Sequence, residues 1–162
     1  MNQEKIGRID EQWRSAQPAQ WGKGKHVAER KLLQHTLRTD EGILAMSDCT
    51  FFEPAVPFKR GLQVWGRYSD RGVALATDQR VLFLKHKVVG GDIAVELPYK
   101  SLSGVAATGG GDLAEGVHIV REKDETWRIA QVSPESSQET FARTVTEHAN
   151  LAEPKGKKKF PL

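Results

Sequence analysis

The chain has 162 residues and a formal net charge of +3 at pH 7. This length suits one domain with a sizeable core and is short for two ordinary domains. No apolar run reaches the roughly 18 residues that cross a bilayer, and Met1–Lys5 lacks the apolar segment of an export signal. The lone cysteine, Cys49, suits a reducing compartment, so we expect a cytoplasmic protein.

The positive charge is concentrated at the two ends of the chain. Residues 1–31 carry seven Lys/Arg against four Asp/Glu, and residues 153–162 carry four Lys against one Glu, which gives +3 at each end. Residues 32–152 therefore hold thirteen basic and sixteen acidic groups, a net charge of −3. A body with this balance is poorly suited to bind a phosphate backbone, so nucleic acid is the less favoured partner.

The first part of the chain predicts one arm and one helix. Residues 1–25 mix Gln, Gly and charges around Trp13 and Trp21 without a sustained period, which indicates a flexible or loosely docked arm. From Val27 to Leu37 apolar residues recur at helical spacing, and turn residues follow at 39–42. The pattern predicts a short amphipathic helix at the start of the folded body.

The middle of the chain predicts a mainly β fold. Apolar segments recur at intervals of roughly ten residues and are separated by Gly, Asp and Ser. The predicted strands cover residues 43–52, 72–77, 80–85, 93–99, 103–108, 117–121 and 126–132, with a long connection over residues 53–71. Val81–Leu84 is apolar on both faces, as in a buried strand, and Pro98 indicates a sheet edge.

The last element of the body is a predicted amphipathic helix. Ser133 is a good N-cap, Pro134 suits the first helical position, and Phe141, Val145 and Ala149 form an apolar face. This face predicts a helix that caps one end of a sandwich of about seven antiparallel strands. We therefore predict three regions: a flexible arm (1–25), the folded domain (26–152) and a disordered lysine-rich tail (153–162).

Two central segments resemble a known family. Gly72–Leu84 (GVALATDQRVLFL) resembles a strand–turn–strand of bacterial pleckstrin-homology (YokE-like PH) domains. Gly90–Gly91 and Glu96–Val105 (ELPYKSLSGV) resemble the strand and turn that follow in those domains. The resemblance spans about residues 30–149 and consists of structural residues without a catalytic signature. It implies a PH-like β-sandwich or partly open barrel, and members that assemble through sheet edges.

No residue pattern in the chain predicts catalysis, a metal site or a cofactor. The five histidines (His26, His35, His86, His118 and His148) lack metal-binding spacing. Cys49 has no evident base beside it and is interpreted as a packing residue. Trp21–His26 (WGKGKH) is similar to a phosphate loop but lacks its first glycine and its Ser or Thr, so it is interpreted as a basic linker.

Two groups of basic residues are candidates for binding anions or lipid headgroups. The first group borders the long connection and the end of the third strand: Lys59, Arg60, Arg67, Arg71, Lys85 and Lys87. The second is the tail: Lys155, Lys157, Lys158 and Lys159. Lysines near an anionic surface contribute about 1 kcal/mol each, so the tail by itself is a weak anchor. The simpler interpretation is that the basic residues of the first group are solvated charges in loops.

These observations favour a non-catalytic binding or assembly module that contacts a protein partner or a second copy of itself. The alternative is a peripheral module that binds anionic, phosphoinositide-like lipid through the basic loops and the tail. A nucleic-acid-associated protein is the second alternative, and an enzyme has the least support.

Overall fold

The computed structural model describes residues 2–52, 56–57, 63–64, 70–108, 116–121, 126–133 and 136–150. Two helices come first, α1 (Gln3–Ala16) and α2 (Val27–Thr36). The described residues then form nine strands: β1 (Ile43–Phe52), β2 (Val56–Pro57), β3 (Gln63–Val64), β4 (Asp70–Thr77), β5 (Arg80–Lys85), β6 (Ile93–Pro98), β7 (Leu102–Thr108), β8 (Gly116–Arg121) and β9 (Thr126–Ser133). A 3-10 turn, η1 (Tyr99–Ser101), separates β6 from β7, and α3 (Ser136–His148) ends the described chain.

Seven strands form one antiparallel sheet in the order β6-β5-β4-β1-β9-β8-β7. The mainly β class predicted from the sequence is therefore confirmed. Among the described strands β2 and β3 pair only with each other, and both lie within the predicted connection over residues 53–71, which also includes the start of β4. β6 and β7 are the two outer strands of the sheet, and Pro98 ends β6 as predicted for an edge position.

The sheet packs on α3 through its inner face. Phe141 and Val145 of α3 are 1% and 0% exposed, in one cluster with Val81 and Phe83 of β5. Residues i and i+4 of a helix lie on the same side, so this spacing directs both α3 side chains into the core. The apolar face predicted for this helix is therefore buried.

The outer face of the same sheet carries a second core. Leu82 and Leu84 of β5, together with Val73 and Leu75 of β4, are fully buried there. Residues from α1, from the segment between the helices, from α2 and from the position directly after α2 cover this face: Ile9, Trp13, Trp21, Leu33 and Leu37. Consequently β4 and β5 are buried on both faces, which explains the continuous apolar run that the sequence showed.

The structure differs from the expectation of a flexible arm at residues 1–25. Asn2 caps α1 by accepting a hydrogen bond from the Glu4 amide (3.0 Å), and Ile9 and Trp13 are 0% and 2% exposed. Only a few apolar residues of α1 carry this contact, so the sequence showed no sustained period. The helix is stabilised by the apolar sheet face that it covers, a contact that local sequence does not reveal.

The predicted start of α3 falls at the border of the described residues. Ser133, the predicted N-cap, is the last residue of β9 and pairs with Asp48 of β1, and the described part of the helix begins at Ser136. Pro134 and Glu135 lie outside the described residues, so the cap at Ser133 stays a prediction. The predicted boundaries at residues 26 and 152 remain predictions, and the tail lies outside the described residues.

Gly72 of β4 is required by its neighbours. A Cβ atom at this position would lie 2.4 Å from the Leu84 carbonyl oxygen and 2.7 Å from the Phe83 ring, so the β4–β5 pair would have to shift. We expect Gly72→Ala to lower the free energy of unfolding by about 1–3 kcal/mol. Urea unfolding tests this value, with Gly22→Ala as the control, because a Cβ atom at Gly22 meets nothing within 4 Å. Equal effects of the two substitutions would contradict the expectation.

Candidate interaction surface

Two residues of the predicted basic group lie where β5 ends and the turn to β6 begins. Lys85 pairs with Ile93 at the end of β5, and Lys87 follows in the turn. Arg71 of β4 is exposed and pairs with Thr50 of β1. The other candidates, Lys59, Arg60, Arg67 and the four tail lysines, lie outside the described residues.

The turn between β5 and β6 carries the most exposed large apolar residues of the described chain. Val88 and Val89 are 93% and 86% exposed. They precede Gly90 and Gly91, whose φ angles of +93° and +81° form the turn that the sequence predicted. We refer to residues 86–92 as the hairpin tip. The two valines were not predicted as functional candidates, although two β-branched residues directly before a Gly-Gly turn are a signal that the sequence contains.

Hydrogen bonds fix the base of the hairpin tip. Asp92 Oδ1 lies 2.7 Å from His86 Nδ1 and accepts a hydrogen bond from the Lys87 amide at 3.3 Å. The His86 amide donates to Glu29 Oε1 of α2 at 3.1 Å, which joins the tip to the N-terminal helices. The two valines therefore project from a base that is held on two sides.

The edge of the sheet next to the tip is formed by β6. Within the described chain its one sheet neighbour is β5, so the opposite side of its backbone has no sheet partner there. Ile93 and Val95 are half-buried on the α3 side, while Ala94 and Glu96 are exposed on the other face. An edge of this kind can pair with a further strand unless charges, bulges or proline prevent it. In β6 the one charged residue is Glu96, and the one proline, Pro98, is the last residue of the strand.

A buried ion pair ties the β4–β5 turn to the segment after α2. Arg80 Nε and Nη2 donate to the two carboxylate oxygens of Glu41 at 2.9 and 2.7 Å, and Nη2 also donates to the Thr36 carbonyl at 2.9 Å. The Arg80 and Glu41 side chains are 3% and 0% exposed. Arg80 Nη1 also pairs with Glu96 of β6. This pair was not predicted from the sequence, because its members are 39 residues apart.

The Glu41 carboxylate is stabilised by its hydrogen bonds. Burial by itself disfavours the charge, but donors from Arg80, the Arg38 amide (3.0 Å) and Thr77 (2.7 Å) outweigh burial and hold the pKa of Glu41 below its usual value. The pKa of Arg80 is raised, since its bonds to Glu41 and Glu96 exceed the effect of burial. Both groups stay charged, and the network anchors the sheet to the N-terminal region.

The phosphate-loop-like segment packs between the first two helices. The Trp21 ring is 6.3 Å from that of Trp13 and 4.9 Å from that of His26. Lys25 Nζ lies 2.7 Å from Asp48 Oδ2 of β1, and His26 Nδ1 lies 3.4 Å from Glu29 Oε2. The interpretation as a basic linker is therefore incomplete: the segment docks α2 onto the sheet, and one of its two lysines, Lys25, has a carboxylate partner.

The described residues contain no cluster of side chains that could hold a metal ion. No group of three or more His, Cys, Asp or Glu side chains within them is arranged to hold a metal ion. Cys49 is 2% exposed in the inner core, which confirms that it is a packing residue, and burial raises the pKa of its thiol. Among these residues no helix is both long and apolar enough to span a membrane.

Comparison with known proteins identifies the family from this architecture. Residues 37–147 match the family model described as "Bacterial PH domain". The chain belongs to that family. The resemblance found in the two central segments is therefore confirmed, as is the PH-like class of the fold. Both N-terminal helices of this PH domain, α1 and α2, lie outside the matched residues.

Solved structures support the same fold at low sequence identity. The Vps36 N-terminal PH domain matches with a TM-score of 0.54 and 13% identity, over 70% of this chain and 83% of its own. The C-terminal domain of an unknown protein from Leishmania infantum matches with a TM-score of 0.50 and 11% identity, over 75% and 94% of the two chains. None of the curated proteins compared with this PH domain matches it. These similarities show the fold of the chain.

Proposed function

We propose that this bacterial PH domain is a non-catalytic binding and assembly module that contacts a protein partner or a second copy of itself through the edge of β6. The family supports a binding role, since PH-like domains commonly mediate protein or lipid interactions. The single observation that carries the proposal is the outer position of β6, with half-buried Ile93 and Val95 beside an unpaired backbone edge within the described sheet. We also retain the cytoplasm as its proposed location.

The sequence of β6 suggests how two copies would pair. A two-fold axis perpendicular to the sheet pairs antiparallel strands and keeps every side chain on its own face. An axis through Val95 places Ala94 opposite Glu96 of the second copy, whereas an axis through Glu96 places two carboxylates directly opposite each other. Like charges in that position are destabilising, so the Val95-centred register is favoured.

A charge substitution at Ala94 tests this pairing. Ala94 is exposed, so both Ala94→Glu and Ala94→Lys are expected to fold. In the Val95-centred register a glutamate at 94 faces Glu96 and weakens the dimer, while a lysine faces the same carboxylate and retains it. Sedimentation equilibrium measures the mass, which we expect to be twice the 18.0 kDa of one chain for the natural protein and for Ala94→Lys. A monomeric natural protein would rule out self-association, and equal masses for both variants would rule out this register.

Lipid binding is the second candidate function. It is supported by Lys85 and Lys87, which lie at the end of β5 and in the turn that carries the exposed valines. The net charge of −3 over residues 32–152 weighs against it, as it does against a nucleic-acid partner. Sedimentation with anionic vesicles at low and at physiological salt separates these functions, because attraction between exposed charges fades within about 8 Å at physiological ionic strength. Retained binding at physiological salt would favour the lipid function.

A further inference from the structure

We propose that residues 157–162 of this same chain, the sequence KKKFPL, pair with the edge of β6 as an additional antiparallel strand and regulate access to that edge. This role rests on the proposed function, because it names a competitor for the site at which a partner protein or a second copy pairs. The segment lies outside the described residues. Three features support its placement: the position where α3 ends, the charge and apolar residues of β6, and the composition of the segment itself.

The last described helix ends beside the end of β6. The ring of His148, the last residue of α3, lies 6.0 Å from the ring of Tyr99, the residue that directly follows β6. Ala149 packs against the inner core cluster that contains Tyr99. The chain therefore leaves α3 near the last residue of β6, and it continues with residues 151–162.

The length of the remaining chain suits a strand along β6. A strand that starts at the Pro98 end of β6 and runs toward Ile93 is antiparallel to it. Six extended residues span about 20 Å, which matches the six residues of β6. Residues 151–156 are then available for the reversal of direction, and they include Pro154 and Gly156, which are common in turns. A connection of this length is typical between neighbouring elements.

The ion-pair network at β6 carries one net negative charge. Arg80 pairs with both Glu41 and Glu96, so one cation is shared by two carboxylates. The Glu41 side chain is fully buried, whereas the Glu96 side chain is 45% exposed. Of the lysines that flank the strand, Lys85 lies on the inner face of the sheet, and Lys100 follows the strand in η1. A basic strand beside β6 therefore complements the charge of Glu96.

One register suits both faces of β6. Side chains of a strand alternate between the two faces of a sheet, and directly opposed residues share a face. The favoured register pairs Lys159 with Glu96, Phe160 with Val95 and Leu162 with Ile93. It places two apolar side chains beside the half-buried residues of the inner face and one lysine beside the half-exposed carboxylate. A shift by one residue moves Phe160 to the outer face, so this register is specified by the sequence of the segment.

The composition of the segment also suits an outermost strand. Lysine and proline are residues that prevent an edge strand from pairing with a further strand. The sequence KKKFPL contains three lysines and one proline. The pairing thus replaces an edge that can accept a strand by an edge that cannot. A partner reaches β6 only when it displaces the segment, which makes the segment an autoinhibitory element.

Hydrogen exchange of the full chain tests this pairing. The amides of β6 are followed by mass spectrometry at a concentration at which sedimentation shows the monomer, so that a second copy does not protect them. We expect the double variant Lys159→Glu, Phe160→Ser to exchange these amides at least about tenfold faster than the natural chain. The reason is that loss of the added strand leaves the amides that point away from β5 open to water.

Two full-length variants serve as controls. Lys155→Glu makes the same change of charge in the same segment, but it lies before the paired residues, so the exchange of β6 should match that of the natural chain. Lys159→Arg keeps the positive charge opposite Glu96 and should retain the slow exchange. These variants separate a defined pairing from a general attraction between the basic segment and the body.

Sedimentation of the same variants separates this inference from the proposed function. If β6 also pairs with a second copy, the double variant should dimerise at least about threefold more tightly than the natural chain, since the competitor is lost. Ala94→Glu, which weakens the dimer, should keep the slow exchange of β6. A chain that stays monomeric at all concentrations and still protects β6 through the segment would refute self-association and support the autoinhibitory strand.

Three outcomes would overturn the inference. The first is equal exchange of the β6 amides in the natural chain and in the double variant. The second is an equal acceleration by Lys155→Glu, which would replace the paired strand by a diffuse attraction between charges. The third is protection of β6 that appears only at concentrations at which the dimer forms, which would assign the edge to the second copy.

Discussion

Replacing Arg80 by Ala should lower the free energy of unfolding by about 3–5 kcal/mol. The substitution leaves the Glu41 carboxylate, 0% exposed, without the two hydrogen bonds that Arg80 donates at 2.9 and 2.7 Å. It also removes the donor to the Thr36 carbonyl. An uncompensated buried charge is costly because the protein interior solvates it poorly. Urea unfolding at neutral pH measures the change.

The matched control is another arginine that pairs with a glutamate on the surface. Arg143 lies 4.0 Å from Glu147, with side chains 68% and 63% exposed, so Arg143→Ala should change stability by about 0.5 kcal/mol or less. Replacing Arg80 by Met and Glu41 by Leu together should cost less than the sum of the two single substitutions, since no charge is left alone. Additive single effects would mean that the two groups do not act as a pair.

The same network gives the protein a defined acid sensitivity. The pKa of Glu41 is lower in the folded protein than its ordinary value of 4.5. A carboxyl group of this kind stabilises the fold fully above its unfolded pKa, and this contribution is lost as the pH falls through the folded pKa. We therefore expect stability to fall below about pH 4.5, and to fall less steeply in Glu41→Gln. Urea unfolding curves between neutral pH and pH 3 compare the two proteins.

Replacing Trp13 by Ala should also cost about 3–5 kcal/mol, because the substitution opens a large cavity in the outer core. Trp13 is 2% exposed and belongs to the apolar cluster formed with Val73 and Leu75 of β4. Its ring lies 6.3 Å from that of Trp21, so one substitution weakens the contact between α1 and the segment that leads into α2. Thermal and urea unfolding both report the loss.

A control substitution on the exposed side of α1 shows whether a loss of stability comes from lost packing on the sheet or from a change in the helix itself. Glu11 lies on the exposed side of α1, so Glu11→Ala should change stability by about 0.5 kcal/mol or less. Removal of residues 2–20 should lower the melting temperature strongly, the opposite of what a flexible arm would give. A loss under about 1 kcal/mol for Trp13→Ala would show that α1 does not pack on the sheet.

The sequence by itself determined the elements that are specified by residues close together in the chain. The turn at Thr77–Gln79 and the glycines at 90 and 91 interrupt apolar runs, and Pro98 limits a strand, so strand positions and one sheet edge could be predicted. The apolar spacing of Phe141 and Val145 likewise identified the inner face of α3. The central segments were specific enough to identify the PH family, because its strands and turns place particular residue types at fixed intervals.

Only the tertiary structure decided which surfaces meet. The run Val81–Leu84 indicated a strand buried on both faces, but the covering elements, α3 on one side and α1 with α2 on the other, lie far from it in sequence. The ion pair between Arg80 and Glu41 and the exposure of Val88 and Val89 likewise depend on the tertiary structure. Burial depends on what the rest of the chain brings to each face, and ion pairs depend on distances that folding sets. The spacing of apolar residues along the chain reports neither burial nor the distance between ion-pair partners. The sequence therefore did not predict α1 as part of the domain, because the helix is stabilised by the sheet that it covers.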